Sequence, residues 1–137
     1  MANSLDVRVI HDGHHNAVVK LVGIVDTSDV SAVSAVPLAN FITNPPGMTL
    51  NGLKVQEIEF SCSHGLIVVL GWNAATEQPI AVFANTGELG DEDCVPFNPD
   101  RTAAGYDGSI NLSTRGFVPG SIYGFTVILK CVKQFAA

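Results

Sequence analysis

The chain has 137 residues, of which 47% are hydrophobic and only 15% are charged, and its formal net charge is −6. Soluble proteins carry about 25% charged residues on average, yet this chain is too hydrophobic to be disordered. Its excess of acidic residues argues against a surface that binds nucleic-acid phosphates. We expect one folded domain over residues 1–137, with part of its weakly charged surface covered by a partner.

No segment has the features of a membrane span or an export signal. The longest apolar run, residues 66–70, is far shorter than the roughly 18 residues of a membrane helix. Residues 1–13 lack the basic and apolar regions of a signal peptide. Cys62, Cys94 and Cys131 are odd in number and widely spaced, which is typical of reduced thiols in the cytosol, although a disulfide between two of them stays open. We expect no membrane contact.

Residues 5–10 and 17–25 predict the first two strands. Both runs are rich in β-branched residues, and the short Asp-Gly-containing loop between them is typical of an antiparallel hairpin. Residues 26–34 are small and polar and predict a loop. Residues 35–43 fit either one helical turn or a short strand, and the Asn-Pro-Pro-Gly sequence at 44–47 ends that element.

The middle of the chain predicts three further strands. Residues 53–60 alternate between apolar and polar side chains, with a register slip near Glu57 that indicates a β-bulge. Residues 66–70 are continuously apolar, which favours a strand covered on both faces. Residues 79–84 predict another short strand, whereas the glycine-rich, acidic residues 86–93 predict a loop.

The last part of the chain predicts a long irregular connection over residues 95–108 and strands over 109–114 and 123–132, the latter the longest. No segment shows a helical apolar stripe. About eight short strands separated by turns predict an all-β fold, a single-domain antiparallel β-sandwich or flattened barrel with long irregular connections. Residues 1–5 and 134–137 are expected to form an N-terminal arm and a C-terminal tail.

The strongest resemblance to a metal site is the turn that contains His11, Asp12, His14 and His15, because imidazole and carboxylate groups bind zinc. Neighbouring residues in a hairpin loop point apart, and no distant Cys or His pattern supplies further ligands. We therefore expect a hydrophilic turn in which Asp12 bonds to nearby backbone, and no bound metal. The acidic run 88–93 lacks the ligand spacing of a calcium loop, so we expect it to be solvated.

The sequence contains no recognisable catalytic motif: no nucleophile elbow, no zinc-protease helix and no phosphate-binding loop. Cys94 lies beside Asp93, whose carboxylate disfavours a thiolate, and Cys62 and Cys131 fall on strand patterns. We therefore expect neither enzymatic activity nor a cofactor. The aromatic residues on strand patterns are expected in the core; they are Phe60, Trp72, Phe83, Tyr123 and Phe125.

Four segments carry a set of motifs: residues 6–13 (DVRVIHDG), 16–24 (NAVVKLVGI), 71–74 (GWNA) and 105–114 (GYDGSINLST). Together they resemble small virion structural proteins of tailed bacteriophages, which are commonly encoded near the major capsid protein. The resemblance spans most of the chain but leaves residues 28–50 and 86–97 unmatched. His14 and His15 stand where this family is expected to have Pro and Arg or similar residues, which further weakens a metal site.

The resemblance implies a capsid decoration (cement) protein on the outer face of the phage head. Such a protein would bind the major capsid protein and its own copies, in a virion assembled in the host cytoplasm, and would multiply weak contacts through avidity. A tail or head–tail connector protein is the alternative. A carbohydrate-binding module on the virion is a second alternative, for which Trp72 and Tyr106 would have to be exposed.

Contacts between subunits are expected where apolar side chains lie outside the strand patterns. Phe41 lies in the irregular segment before the two prolines, and Phe135 lies beyond the last predicted strand. Exposed aromatic residues of this kind are typical of interfaces. With the N-terminal arm included, the predicted interface residues are Met1, Leu5, Phe41, Ile42 and Phe135.

Overall fold

The computed structural model describes residues 3–90 and 100–136, which form nine β-strands and one short 3₁₀ helix, Leu38–Asn40. The strands are β1 (Ser4–Asp12), β2 (Asn16–Val25), β3 (Val33–Val36), β4 (Thr49–Cys62), β5 (Ile67–Trp72), β6 (Gln78–Ala84), β7 (Thr86–Gly90), β8 (Ile110–Arg115) and β9 (Tyr123–Ala136). The described ranges contain no helix with the length and apolarity needed to cross a membrane. The predicted all-β fold is confirmed, with nine strands in place of about eight.

The strands form two antiparallel sheets that pack against each other as a sandwich. One sheet has the order β1-β2-β9-β4-β7, and the other has the order β3-β8-β5-β6. Buried side chains from both sheets make one hydrophobic core, as period-two alternation requires of strands with one face inward. The indole N–H of Trp72 in β5 donates to the backbone carbonyl of Leu53 in β4 (3.2 Å), which links the two sheets directly.

Several local predictions are confirmed. β1 and β2 form the expected hairpin, with Val7 opposite Leu21. The register of β4 slips between Val55 and Glu57, where the sequence indicated a bulge. The strand aromatics lie in or against the core: Trp72, Phe83 and Phe125 are buried, and Phe60 and Tyr123 are partly buried against them.

The prediction of a loop over residues 86–93 is wrong for its first part. Residues 86–90 form strand β7, which pairs with β4 so that Leu89 lies opposite Ile58 and packs against the core. This pairing stabilises a glycine-rich strand whose own propensity is poor. The rest of the predicted acidic loop and Cys94 lie within residues 91–99, outside the described part of the chain.

Two further predictions need correction in the four-stranded sheet. Val68 and Leu70 of β5 are fully buried, but Ile67 between β6 and β8 is 39% exposed, so the strand is covered on one face only. The outer face of this sheet lies on the surface of the sandwich. The polar segment predicted as a loop also contributes the start of β3, which pairs with β8 at Val33 opposite Leu112.

The expected N-terminal arm is largely part of the sheet. β1 begins at Ser4, and Leu5 is partly buried against the core. The side-chain oxygen of Asn3 accepts hydrogen bonds from the backbone N–H groups of Asp26 (2.9 Å) and Thr27 (3.0 Å). These contacts attach residues 3–5 to the end of β2.

The expected C-terminal tail is also part of the sheet. β9 continues to Ala136, because β4 begins at Thr49 and so offers backbone partners to the end of β9. Phe135, for example, pairs with Leu50. β4 and β9 are therefore equally long, at 14 residues each.

Candidate functional site

The C-terminal part of β9 carries a buried lysine that sequence reasoning missed. The side chain of Lys133 is 0% exposed. Its ammonium group donates to the carboxylate of Asp12 and to the backbone carbonyl of Thr43, and it lies 3.4 Å from the side-chain oxygen of Asn44. It also lies 5.5 Å from the centre of the Phe41 ring, within the range of a cation–π interaction. Lys133 therefore fastens the segment 41–44 to the end of the first hairpin.

Asp12 has a different role from the local turn bond that was predicted. Its second carboxylate oxygen accepts hydrogen bonds from the backbone N–H groups of Ile42 (2.9 Å) and Thr43 (3.0 Å). Burial alone would raise the pKa of Asp12, but the hydrogen bonds from Lys133 and from these two N–H groups outweigh it and lower the pKa. The Asp12 carboxylate therefore binds the backbone of residues 42–43, which are distant from it in the sequence.

The structure does not bring the histidine turn together as a ligand set. His11, His14 and His15 are all exposed, and within residues 3–90 and 100–136 the one group of metal-ligating atoms close enough to share an ion lies elsewhere. His15 instead makes an edge-to-face contact with Phe135, with ring centres 6.1 Å apart.

The predicted interface residues have different environments. Phe41 is only 4% exposed and belongs to the core, so its prediction as an exposed aromatic is wrong; the Lys133 contacts draw its segment inward. Ile42 is 86% exposed. Leu5 and Phe135 are partly buried, and Met1 lies outside the described residues.

The third and fourth of the resembling segments, 71–74 and 105–114, bind each other through a polar network. One carboxylate oxygen of Asp107 accepts from the backbone N–H (3.0 Å) and hydroxyl (2.6 Å) of Ser109, and the other accepts from the amide of Asn73 (2.9 Å). Gly105 has a φ of +76°, and an added Cβ would lie 2.8 Å from a backbone nitrogen. These motif residues therefore shape a junction in the fold.

Among residues 3–90 and 100–136, the titratable groups do not assemble into a nucleophile and base. Burial raises the pKa of the Cys62 thiol, and it raises that of Cys131 to about 12; both are free cysteines. Such thiols are poor nucleophiles at neutral pH. Across the described residues, no hydrogen bond joins a Ser, Thr or Cys side chain to a histidine ring.

The outer face of the five-stranded sheet has the most ordered arrangement of charge. One row of directly opposed residues crosses all five strands, from β1 to β7. The row consists of Arg8, Lys20, Ile128, Glu59 and Glu88. Its basic side chains lie on β1 and β2, its acidic side chains on β4 and β7, and its apolar side chain on the central strand β9.

The acidic end of this row belongs to a cluster of three carboxylates. Oxygens of Glu57, Glu59 and Glu88 lie within 4.8 Å of one another. The Lys130 ammonium lies 3.3 Å from Glu57 and 4.0 Å from Glu59. Hydrogen bonds with Glu88 and then Lys130 lower the pKa of Glu57, and the contact with Glu57 raises the pKa of Glu88. Glu88 is therefore the carboxylate of the pair that binds a proton more readily.

The outer face of the four-stranded sheet is apolar along β5 and β6. Val82 on the edge strand β6 is 62% exposed, and it lies beside the partly buried Val69 and near Ile67. Large aliphatic side chains are also exposed in the loops: Ile42, Met48, Val118 and Ile122. Contiguous apolar patches such as that on β5 and β6 are typical of surfaces that contact other molecules, whereas single exposed side chains are ordinary.

The two aromatic residues that a carbohydrate-binding module would need to expose are buried to different extents. Trp72 is 2% exposed and its N–H is bonded inside the sandwich. Tyr106 is partly buried. Trp72 therefore offers no stacking platform for a sugar ring.

The chain matches no family model, no curated protein and no solved structure at a significant level.

Proposed function

We propose that this chain is a virion structural protein of a tailed phage, a capsid decoration protein that binds the outer face of the head. The observation that carries the proposal is how the four resembling segments fit the fold. Two of them form the β1–β2 hairpin, and the other two form the hydrogen-bonded junction of β5 and β8. The resemblance thus involves the framework of both sheets.

The surface of the sandwich supports this proposal. A chain with 15% charged residues displays large aliphatic side chains on both outer faces, including Ile24 on β2 and Val82 on β6. Removing such groups from water is favourable by about 25 cal/mol for each Å² of apolar area, and this offsets the entropic cost of association. In a shell, many copies of a weak contact add through avidity.

The test compares phage heads with and without this protein during heating. If the protein stabilises the shell by contacts with capsid subunits, heads that lack it release their DNA at a lower temperature, and adding the purified protein restores the wild-type temperature. Equal release temperatures would contradict the clamping role.

The exposed β5–β6 face is the surface that we assign to the capsid contact. Val82→Asp places a charge on its most exposed aliphatic position, and it should weaken rebinding to stripped heads. His64→Asp puts the same side chain at an exposed turn and should leave rebinding unchanged. Equal rebinding by the two variants would exclude this face.

A tail or head–tail connector protein is the first alternative to a decoration protein. The copy number in purified particles separates the two roles. A number comparable to that of the major capsid protein supports decoration, whereas a number that fits a single ring of subunits supports a tail or connector position.

A further inference from the structure

The outer face of the five-stranded sheet is self-complementary in charge. The central strand of this sheet is β9, so β1 and β2 lie on one side of it and β4 and β7 on the other. Arg8 and Lys20 lie on the first side, and Glu59 and Glu88 occupy the corresponding positions on the second. From β1 to β7 the residues of the row are therefore basic, basic, apolar, acidic and acidic, with Ile128 at the centre.

We infer that two copies of this chain pack these faces together around a two-fold axis that runs along β9. A rotation of 180° about this axis brings the row of one copy opposite the row of the other copy in reversed order. Lys20 then faces Glu59 of the second copy, Arg8 faces Glu88, and Ile128 packs against its counterpart. An axis across the strands that passes through this row would instead oppose like charges, so the pattern of the row favours the axis along β9.

The other charged groups on this face meet no uncompensated like charge in this orientation. Asp6 is paired with Arg8 (2.9 Å), and the reversed row places it opposite Thr86 of the second copy. Lys130 lies on β9 and therefore faces its own counterpart across the axis, where Glu57 and Glu59 of each chain lie beside the two ammonium groups and offset their repulsion. Lys54, farther along β4, is placed opposite Asn16.

The acidic cluster gives a second reason for a basic partner. Among the described residues, Lys130 supplies the one ammonium group that forms salt bridges with these three carboxylates, so negative charge is in excess there. Lys20 makes no salt bridge with any described residue. The lysine from the second copy supplies the missing positive charge.

The face is large enough for a stable dimer. Strands spaced about 4.8 Å apart, with a rise of about 3.4 Å per residue, give this sheet a face of roughly 600–700 Å² per copy. Standard protein interfaces bury roughly 600–1,000 Å² per partner, and this face lies within the lower part of that range. The dimer deepens that part of the proposed function in which copies of the chain contact one another, and it does not depend on the capsid contact.

The test uses complementary charge reversal in the full chain, with the oligomeric state measured by sedimentation equilibrium. In the homodimer of the Lys20→Glu variant, the new carboxylate of each copy faces Glu59 of the other copy. In the homodimer of the Glu59→Lys variant, the new ammonium group of each copy faces Lys20 of the other. Each substitution should therefore raise the dimer Kd by at least about tenfold. An equimolar mixture restores both opposite-charge contacts and should form a heterodimer. Arg115→Glu makes a similar charge change at an exposed position on the other sheet and should leave the Kd unchanged.

The emission of the buried Trp72 checks that each variant is folded. A wild-type monomer at the highest soluble concentration, a dimer insensitive to Lys20→Glu, or a mixture that stays monomeric would each overturn the inference. Because these measurements use the isolated protein, their failure leaves the result of the head-heating experiment unaffected, and the reverse also holds.

Discussion

At the scale of single residues, the ion pair between Lys133 and Asp12 connects three separate parts of the chain. It joins the end of β9 to the first hairpin and to the segment 41–44. A fully buried ammonium is stable only when its charge is paired and its hydrogens are bonded. Here a carboxylate and a backbone carbonyl meet both requirements, and Phe41 is buried as a consequence.

We expect Asp12→Asn to lower the free energy of unfolding by about 3 kcal/mol at neutral pH, because it leaves the Lys133 charge buried and uncompensated. The pKa of Asp12 in the folded state lies below its ordinary value of 3.8. Its stabilising contribution is therefore complete above that value and is lost as the pH falls through the lower folded pKa. Urea unfolding from neutral to acidic pH measures both effects.

The stability difference between wild type and Asp12→Asn should thus shrink in acid. Asp6→Asn is the control, because the Asp6–Arg8 pair is well exposed and an exposed pair contributes little. A difference that stays constant down to the most acidic pH would contradict the role given to the Asp12 charge.

At the scale of strands, β2 and β9 pack closely where a glycine on one strand lies opposite an aromatic ring on the other. Gly23 on β2 lies opposite Phe125 on β9, and an added Cβ at Gly23 would lie 2.2 Å from the ring. The aromatic ring thus fills the space that a side chain at this position would occupy, and it is itself 4% exposed.

We expect Gly23→Ala to destabilise the protein by about 1–2 kcal/mol, because the buried ring has to move and overpacking costs more than the entropic advantage of alanine. Gly124→Ala is the matched control on β9, where an added Cβ meets its nearest atoms at 3.8 Å, an ordinary contact. Chemical denaturation of both variants tests the difference. Equal stabilities would show that the ring adjusts freely.

At the scale of the whole molecule, the two sheets depend on each other. Buried side chains from both form one core, and the Trp72 hydrogen bond crosses from one sheet to the other. Neither sheet has another described layer against which to bury its inner face. A domain of this size with one core is expected to unfold in one cooperative step.

We therefore predict that urea unfolding curves followed by Trp72 fluorescence and by far-ultraviolet circular dichroism coincide. Trp72 is the only tryptophan, so its emission reports the docking of the two sheets, whereas circular dichroism reports the strands. Separate midpoints would mean that one sheet survives without the other.

The amino-acid sequence alone predicted the all-β class, most strand positions, the first hairpin and the bulge in β4, because period-two alternation and turn residues are local signals. It also contained a sign of Lys133, which continues the inward alternation of Leu129 and Cys131 along β9. That sign was missed because a lysine is seldom expected inside a core. β7 was missed for a related reason, since its glycines have poor strand propensity and only pairing with β4 stabilises them.

The folded arrangement of the strands sets which surfaces the molecule presents. It buried Phe41, exposed Ile42 and turned the expected tail into the end of a strand. The row from Arg8 to Glu88 has no counterpart in the linear sequence, because its five residues come from five strands that are brought side by side only in the folded sheet. Long-range strand pairing sets such a pattern, and a local alternation of side chains cannot reveal which strands become neighbours.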